Sequence, residues 1–311
     1  MTQAISIKQG KLPQFAYIRI IACFGVVLLH TLYASSLALE GSAGFVAQAW
    51  QNNLMWGVPC FLMTTGALLL NPDKKIGLRK IFTKYIKRIA ITLVVFTLVF
   101  ATLDPLMAGE KFSISSVVFD WIRNTVTDGS WAHMWYLYLL IGIYAMLPVY
   151  RAIIKSCSDL QIKYLCIIFV LFVSVLPMTE LFGLKIGFYL CTTIIYPIYP
   201  ILGYAIFSGK INIGRLNAFI ILAGCTISIV FLTYFRINYA DICFDVDALG
   251  VFDELFGYAS IFVIGQGVGI YSLLCGLKCD KQRWTRGYKR YKETSGLIEW
   301  KECQIFHSIF T

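Results

Sequence analysis

Long runs of apolar residues constrain the fold of this chain more than any other feature of its sequence. A bilayer-spanning helix needs about 20 mostly apolar residues, and eight runs approach that length between polar residues. These runs lie at 15–37, 46–70, 89–107, 133–150, 162–178, 186–207, 216–235 and 258–277. Membrane β-strands would instead show short segments of alternating polarity. The sequence therefore predicts an all-α, polytopic transmembrane helical bundle with about eight spans.

The distribution of basic residues predicts the orientation of this bundle. Only 14% of the 311 residues are charged, against about a quarter in soluble domains. If the chain starts in the cytoplasm, 22 Lys and Arg residues fall on the inner side, four fall on the outer side, and Arg19 lies inside the first span. Cytoplasmic loops are enriched in Lys and Arg. We therefore expect a multi-pass protein of the cell membrane with both termini in the cytoplasm, where its basic residues meet anionic lipid and no nucleic-acid partner is implied.

The sequence contains no internal repeat at a fixed period and no Gly/Ser linker. Residues 1–277 are therefore interpreted as one membrane domain and residues 278–311 as a basic, polar cytoplasmic tail. In the outer loop after the third span, Ser115 to Arg123 are expected to form a short interfacial helix. A later acidic loop holds Asp241, Asp245 and Asp247, which could bind calcium, but it lacks the glycine and distal glutamate of a calcium loop. A solvated loop is the favoured interpretation, and no metal is predicted.

The first span, FAYIRIIACFGVVLLHTLYASS, contains two residues that are costly to place in hydrocarbon, Arg19 and His30. At about 100° and 1.5 Å per residue, they share one helical face and are separated by about 16 Å along the axis. Arg19 could snorkel to the inner interface, and His30 could be a structural hydrogen-bonding group. An imidazole can also take and return a proton near neutral pH. The stripe therefore indicates a reaction path that begins near the cytoplasm.

Three stretches together resemble the membrane acyltransferase-3 family, integral membrane enzymes that O-acylate, and mostly O-acetylate, cell-surface carbohydrates. IRIIACFGVVLLH has the Arg, ten residues and His of the family's first-helix motif. VPCFLMTTGALLL is similar to its second-helix pattern, and HMWYLYLLIGIYAMLPVY to its His-x-Trp-aromatic-Leu segment. The likeness covers about residues 15 to 277. It implies an O-acyltransferase that moves an acetyl group from cytosolic acetyl-CoA to a hydroxyl of a cell-surface or lipid-linked glycan.

The resemblance also implies roles for residues on the cytoplasmic side. His30 would act as the catalytic base or transiently carry the acyl group, and Arg19 would hold the phosphates of acetyl-CoA. Three cations at the inner end of the third span could extend that anion site: Lys84, Lys87 and Arg88. For each of these three, ordinary positive-inside flanking is the favoured account.

Residues near the predicted outer side are the candidates for binding the acceptor. His133, Trp135 and Tyr136 stand at the outer end of the fourth span, where Trp and Tyr also form an interfacial belt. Aromatic faces and a histidine suit a sugar, because they can stack on its ring and bond its hydroxyls. Asn53, beside Asn52 in the second span, could line the pocket or bond a neighbouring helix. The sequence leaves the oligomeric state open.

Two other functions fit part of the sequence. A transporter or flippase for a polysaccharide or its lipid-linked precursor would also carry intramembrane His and Arg, although transporters often contain internal repeats. The third interpretation is an inactive, truncated member of the family, which usually has about ten spans and a late Gly-Ile-Tyr-x-x-His-like helix. Here GVGIYSLLCG contains the Gly-Ile-Tyr without the histidine.

Overall fold

The computed structural model describes residues 13–109, 113–127, 129, 131–187 and 192–276, and these residues form helices and turns without a β-strand. This confirms the all-α prediction. The helices in chain order are α1 (Pro13–Ser36), α2 (Gly41–Asn52), α3 (Gly57–Leu69), α4 (Leu78–Met107), α5 (Ile114–Thr127), α6 (Trp135–Ala145), α7 (Leu147–Ser156), α8 (Asp159–Phe182), α9 (Ile198–Phe207), α10 (Arg215–Asn238), α11 (Ala240–Cys243), α12 (Val246–Asp253) and α13 (Ile261–Cys275). The tail predicted at 278–311 lies outside the described residues, so the domain division at Leu277 stays a prediction.

Several of these helices are long and apolar enough to cross a membrane. Within the described residues, five segments meet that standard, and a sixth does so if the bent pair α6 and α7 counts as one span. The five are Gln14–Ser36, Leu78–Met107, Asp159–Phe182, Arg215–Asn238 and Val246–Cys275. The chain is therefore a multi-pass membrane protein, and the count of eight spans stays a prediction.

Two predicted spans are not single straight helices. The run at 46–70 forms α2 and α3, with a turn at 53–56 between them. The run at 133–150 forms α6 and α7, whose axes differ by 50°. Pro148 is the second residue of α7, and proline cannot donate the backbone hydrogen bond that a continuous helix would need there. The predicted span at 186–207 falls partly outside the described residues, and its described part contains an apolar helix at Thr193–Phe207.

The described residues divide into two compact units, and each is considered by itself. The first unit contains residues 13–70 and 157–276, and the second contains residues 71–156. In the first unit α3 and α9 cross very closely. A Cβ added to Gly66 would lie 1.8 Å from the carbonyl oxygen of Pro200, and one added to Gly203 would lie 2.2 Å from that of Met63. Only glycine permits this approach, which is a common way for membrane helices to pack without polar groups.

The first unit also contains a buried amide tie, formed by Asn53, Thr226 and Gln266. The Asn53 amide nitrogen donates to the carbonyl oxygen of Ala49 at 2.8 Å, which leaves its Oδ1 as an acceptor. Gln266 Nε2 donates to that Oδ1 at 2.8 Å and to Thr226 Oγ1 at 3.1 Å. Gln266 is only 1% exposed. The tie therefore joins the end of α2, α10 and α13 in the interior of the unit.

The acidic segment after α10 is held by ion pairs and a helix cap. Arg236 donates to Asp253 at 2.6 Å and to Asp241 at 2.9 Å. The Asp245 carboxylate accepts from the backbone N–H of Ala248 at 2.8 Å and caps α12. Two of the three aspartates considered for calcium therefore have structural roles. No group of three or more His, Cys, Asp or Glu residues within the described ranges could hold a metal ion.

The second unit is built around α4, against which α5 and α6 pack. Thr97 on α4 and Thr125 on α5 share a hydrogen bond of 2.8 Å, and Trp121 Nε1 donates to the Val94 carbonyl at 3.0 Å. The helix expected between Ser115 and Arg123 is confirmed as part of α5. On α6, the Tyr144 ring stacks on Tyr85 with centroids 5.7 Å apart. These contacts fix the first turns and the middle of α4 relative to its neighbours.

Candidate active site

The stripe of α1 that carries Arg19 and His30 lies within a helix of membrane-spanning length. The span candidate Gln14–Ser36 includes both residues, and α1 is continuous from Pro13 to Ser36. Arg19 is half-buried, whereas His30 is exposed. Ionisable side chains within membrane spans face the protein interior or a water-filled cavity. The exposure of the His30 imidazole is compatible with contact to a reacting group, which a general base requires.

The stripe-bearing helix α1 packs on both α13 and α3. The side of α1 that holds Arg19 approaches the part of α13 that holds Tyr271. Trp56, at the turn before α3, packs against Gly25, where an added Cβ would lie 3.2 Å from the indole. At Gly57 an added Cβ would lie 2.8 Å from Val26. This close packing fixes the rotation of α1 and thereby the direction in which its stripe points.

The predicted cations Lys84, Lys87 and Arg88 all lie in the first part of α4. The sequence suggested a connecting segment up to Arg88, but the helix already begins at Leu78. Residues Ile81–Ile86 form a π-helical segment that contains Lys84, and such segments are frequent at functional sites. Lys84 and Lys87 are exposed and Arg88 is half-buried. The structure brings the three cations together within about one turn of the helix.

Arg151 on α7 holds the loop that leads into this basic segment, and the sequence did not single it out. Its guanidinium donates to the carbonyl oxygens of Asn71 at 3.0 Å, of Pro72 at 3.4 Å and of Lys74. Burial, together with the positive charges of Arg151 and Lys80, lowers the pKa of the Lys74 ammonium. The only signal in the sequence was an arginine three residues after Pro148. Its long-range partners, about 80 positions away, could not be deduced from spacing.

The predicted acceptor residues of the second unit fall into two groups. His133 lies in a 3₁₀ turn just before α6, is exposed, and faces Phe100 of α4 at a ring distance of 5.5 Å. Trp135 and Tyr136 begin α6, are half-buried, and contact each other edge to face at 6.1 Å. His133 also contacts Trp131, at 5.8 Å, a residue that the sequence did not single out.

Along α4, the basic group and the His133 group stand at opposite ends of the second unit. Arg88 and Phe100 are 12 positions apart in this helix, which corresponds to about 18 Å along its axis. This spacing agrees with separate donor and acceptor sides.

In the first unit, Asn53 accepts a hydrogen bond from Gln266 in the amide tie. Of the two interpretations of Asn53, a bond to a neighbouring helix is therefore the one that its observed contacts show. A role of Asn53 in lining the pocket stays a prediction.

The comparison with known proteins gives one match. A family model described as an acyltransferase domain, Acyl_transf_3, matches residues 12–296. No curated protein and no solved structure matches the chain. The matched range contains every candidate residue described above and covers most of the 311 residues.

Proposed function

The chain belongs to the acyltransferase-3 family and is a membrane acyltransferase, and on that premise we propose that it moves an acetyl group from cytosolic acetyl-CoA to a hydroxyl of a cell-surface or lipid-linked glycan. The observation that carries this proposal is an exposed His30 inside a membrane-length helix that also holds Arg19. Burying both residues in lipid would cost several kcal/mol, roughly 2.5–3.5 for an arginine at the centre of a span. A use in acyl transfer explains why the helix retains them.

In the proposed reaction, His30 takes the proton from the acceptor hydroxyl. The oxygen then attacks the thioester carbonyl, the C–S bond breaks, and the CoA thiolate recovers the proton from the imidazolium. A transient acetyl group on the imidazole is the second route open to the same residue. Arg19 holds donor phosphates through charge-assisted hydrogen bonds. The basic segment of α4 attracts the anionic donor to the cytoplasmic face.

The proposed orientation follows from the same chemistry. Acetyl-CoA is cytosolic, so the basic end of α4 faces the cytoplasm, in agreement with the distribution of Lys and Arg over the loops. We place the protein in the cell membrane with both termini in the cytoplasm. His133 and its aromatic neighbours then lie on the acceptor side.

Replacing His30 tests the proposal directly. We expect His30→Ala to abolish acetyl transfer from labelled acetyl-CoA to surface glycan, while the protein accumulates normally in membranes, because the change removes a polar group from the span and adds none. The matched control is Thr31→Ala on the same helix, whose exposed hydroxyl bonds only to the Val27 carbonyl among the described contacts, at 3.0 Å.

Two outcomes would contradict the proposal. Acetylation at the native rate in a normally inserted His30→Ala protein would reduce the imidazole to a structural group. Movement of a saccharide across the vesicle membrane without acetyl-CoA, together with no acetylation when acetyl-CoA is present, would favour the interpretation as a transporter or flippase.

A further inference from the structure

A compact aromatic and acidic cluster, which we name the Trp131 cluster, lies at the end of α4 far from the basic segment. It consists of Phe100, Asp104, Trp131 and His133. The indole of Trp131 stacks on Phe100 with centroids 4.5 Å apart and an interplanar angle of 11°. Its Nε1 donates to Asp104 Oδ1 at 2.8 Å. His133 meets both rings edge to face, at 5.5 Å from Phe100 and 5.8 Å from Trp131.

The position of the Trp131 indole differs from what an interfacial anchor requires. A belt tryptophan keeps its N–H for water and lipid headgroups, whereas here the N–H is bonded to a carboxylate of the protein. Although Phe100 covers one face, Trp131 remains 42% exposed. The indole is therefore held in a fixed orientation with apolar surface still accessible. This arrangement costs side-chain entropy and suits a ligand that stacks on the ring.

Trp121 of the same unit provides a contrast. Its N–H bonds to the Val94 carbonyl of α4, and its ring is half-buried between α5 and α4. No carboxylate and no histidine ring contacts Trp121 in the described part of the chain. Trp121 is thus explained by packing alone, and it is the natural control for Trp131.

Polar groups around the exposed indole suit hydroxyl groups. Asp104 is exposed, and a carboxylate offers about four acceptor positions, of which the indole N–H takes one. The exposed imidazole of His133 can both donate and accept. An aromatic face beside a carboxylate and an imidazole matches a pyranose ring, which presents C–H groups on its face and hydroxyls around its edge. An aliphatic lipid chain would leave Asp104 and His133 unused.

We propose that the Trp131 cluster binds a sugar ring of the acceptor, with the ring stacked on Trp131 and its hydroxyls bonded to Asp104 and His133. This inference rests on the proposed function, because it names the binding site for the glycan that the enzyme modifies. Phe100 acts as a positioning residue that supports the indole from behind. The cluster replaces Trp135 and Tyr136 as the principal aromatic contact for the acceptor.

Binding of saccharide, measured without acetyl-CoA, tests the cluster. The full chain is placed in lipid vesicles and titrated with two probes from cells that carry the protein. One is surface polysaccharide freed of ester groups by mild alkali, and the other is the lipid-linked saccharide fraction of the membranes. Each probe is fluorescently labelled at its reducing end or lipid portion. The probe that the wild-type protein binds more tightly identifies the source of the acceptor.

We expect Trp131→Leu, which keeps an apolar side chain but removes the aromatic face, to weaken binding of the preferred probe about tenfold. Trp131→Phe keeps an aromatic face and should weaken binding of the probe only a few-fold. This variant keeps the test valid if the leucine variant misfolds. Asp104→Asn should also weaken binding a few-fold, since it removes a charged acceptor. Trp121→Leu should leave binding unchanged.

Wild-type affinity in Trp131→Leu, or an equal loss in Trp121→Leu, would overturn the inference. The same vesicles are then assayed with labelled acetyl-CoA. Binding that depends on Trp131 without any acetyl transfer would contradict the proposed function while supporting the cluster. Acetyl transfer that does not depend on Trp131 would support the proposed function and contradict the assignment of the Trp131 cluster to acceptor binding.

Discussion

In the first unit, α1 and the region around Gln266 both place polar side chains at membrane depth. The two sets of side chains differ in charge and in burial. Asn53, Thr226 and Gln266 are uncharged and bonded to one another across helices. Arg19 and His30 are ionisable, and the structure leaves the first half-buried and the second exposed. A polar residue that only holds helices together is expected to be neutral and satisfied by its neighbours. Arg19 and His30 depart from that pattern because both are ionisable.

The difference distinguishes polar residues that stabilise the bundle from those to which we assign the chemistry. Changes at the amide tie should alter the stability of the protein and leave its kinetic constants alone. Changes on the α1 stripe should alter the kinetic constants if those side chains contact substrate, as we propose. Arg151 extends the comparison to the second unit, since it bonds backbone carbonyls like a structural residue but holds the loop that precedes the basic segment.

After the loss of activity expected for His30→Ala, the largest effect is expected at Arg19. A guanidinium binds phosphate in a bidentate way that an ammonium cannot reproduce, so Arg19→Lys should raise the KM for acetyl-CoA a few-fold and partly preserve kcat. Arg19→Gln removes a charged hydrogen bond worth about 1.5–3 kcal/mol and should raise that KM by about tenfold or more. The measurement is initial rate against acetyl-CoA concentration, in membranes with equal amounts of each variant.

If Arg19 is a snorkelling residue, different results are expected for the same variants. If Arg19 only reaches the headgroups, lysine replaces it completely, and the glutamine variant is defective in insertion alone. Unchanged donor KM in Arg19→Lys, together with poor insertion of Arg19→Gln, would place Arg19 with the structural residues. Lys84, Lys87 and Arg88 would then be the next candidates for binding the donor.

A smaller effect is expected at Arg151. Lysine retains the charge but lacks the planar fork that reaches the carbonyls of Asn71, Pro72 and Lys74 together. Arg151→Lys should therefore speed amide hydrogen exchange over 71–77 and raise the KM for acetyl-CoA about two- to threefold, with kcat unchanged. Arg79→Lys, the same substitution at an exposed residue of α4, is the control. Faster exchange without any change in KM would assign Arg151 to stability alone.

The sequence was informative where one helix carries its own signal. Apolar length and composition predicted α1 as a helix at 15–37 and α10 at 216–235, close to the observed Pro13–Ser36 and Arg215–Asn238. Hydrophobicity located the apolar part of α4 but missed its first turns. The segment from Leu78 to Arg88 is too basic to resemble membrane core, although lysine and arginine are good helix formers.

Long-range contacts set the limit of this reasoning. Beside the break at 53–56, Asn52 bonds Thr233 and Asn53 bonds Gln266, and both partners lie more than 180 positions away. Likewise, Trp131 stands only two positions before His133, but its stacking on Phe100 appears only when α4 and the segment before α6 are packed together. Spacing along one helix can place two residues on a face, and it carries no information about which helix lies opposite.

The smallest effect, and the sharpest test of the comparison, is expected at Gln266. Gln266→Leu removes the donors to Asn53 and Thr226 and leaves the Asn53 oxygen buried without a partner in the tie. It also removes Gln266 Oε1, a buried acceptor that no described residue bonds, which offsets part of the loss. We therefore expect a destabilisation of about 1 kcal/mol, close to the average for hydrogen bonds between membrane helices, measured by unfolding the detergent-solubilised protein with a denaturing surfactant. Thr226→Val removes one of the two acceptors of the Gln266 amide and should destabilise the protein by about half as much. We expect the KM values for donor and acceptor to be unchanged in both variants. A Gln266→Leu protein of native stability with an altered KM would instead assign Gln266 to the active site.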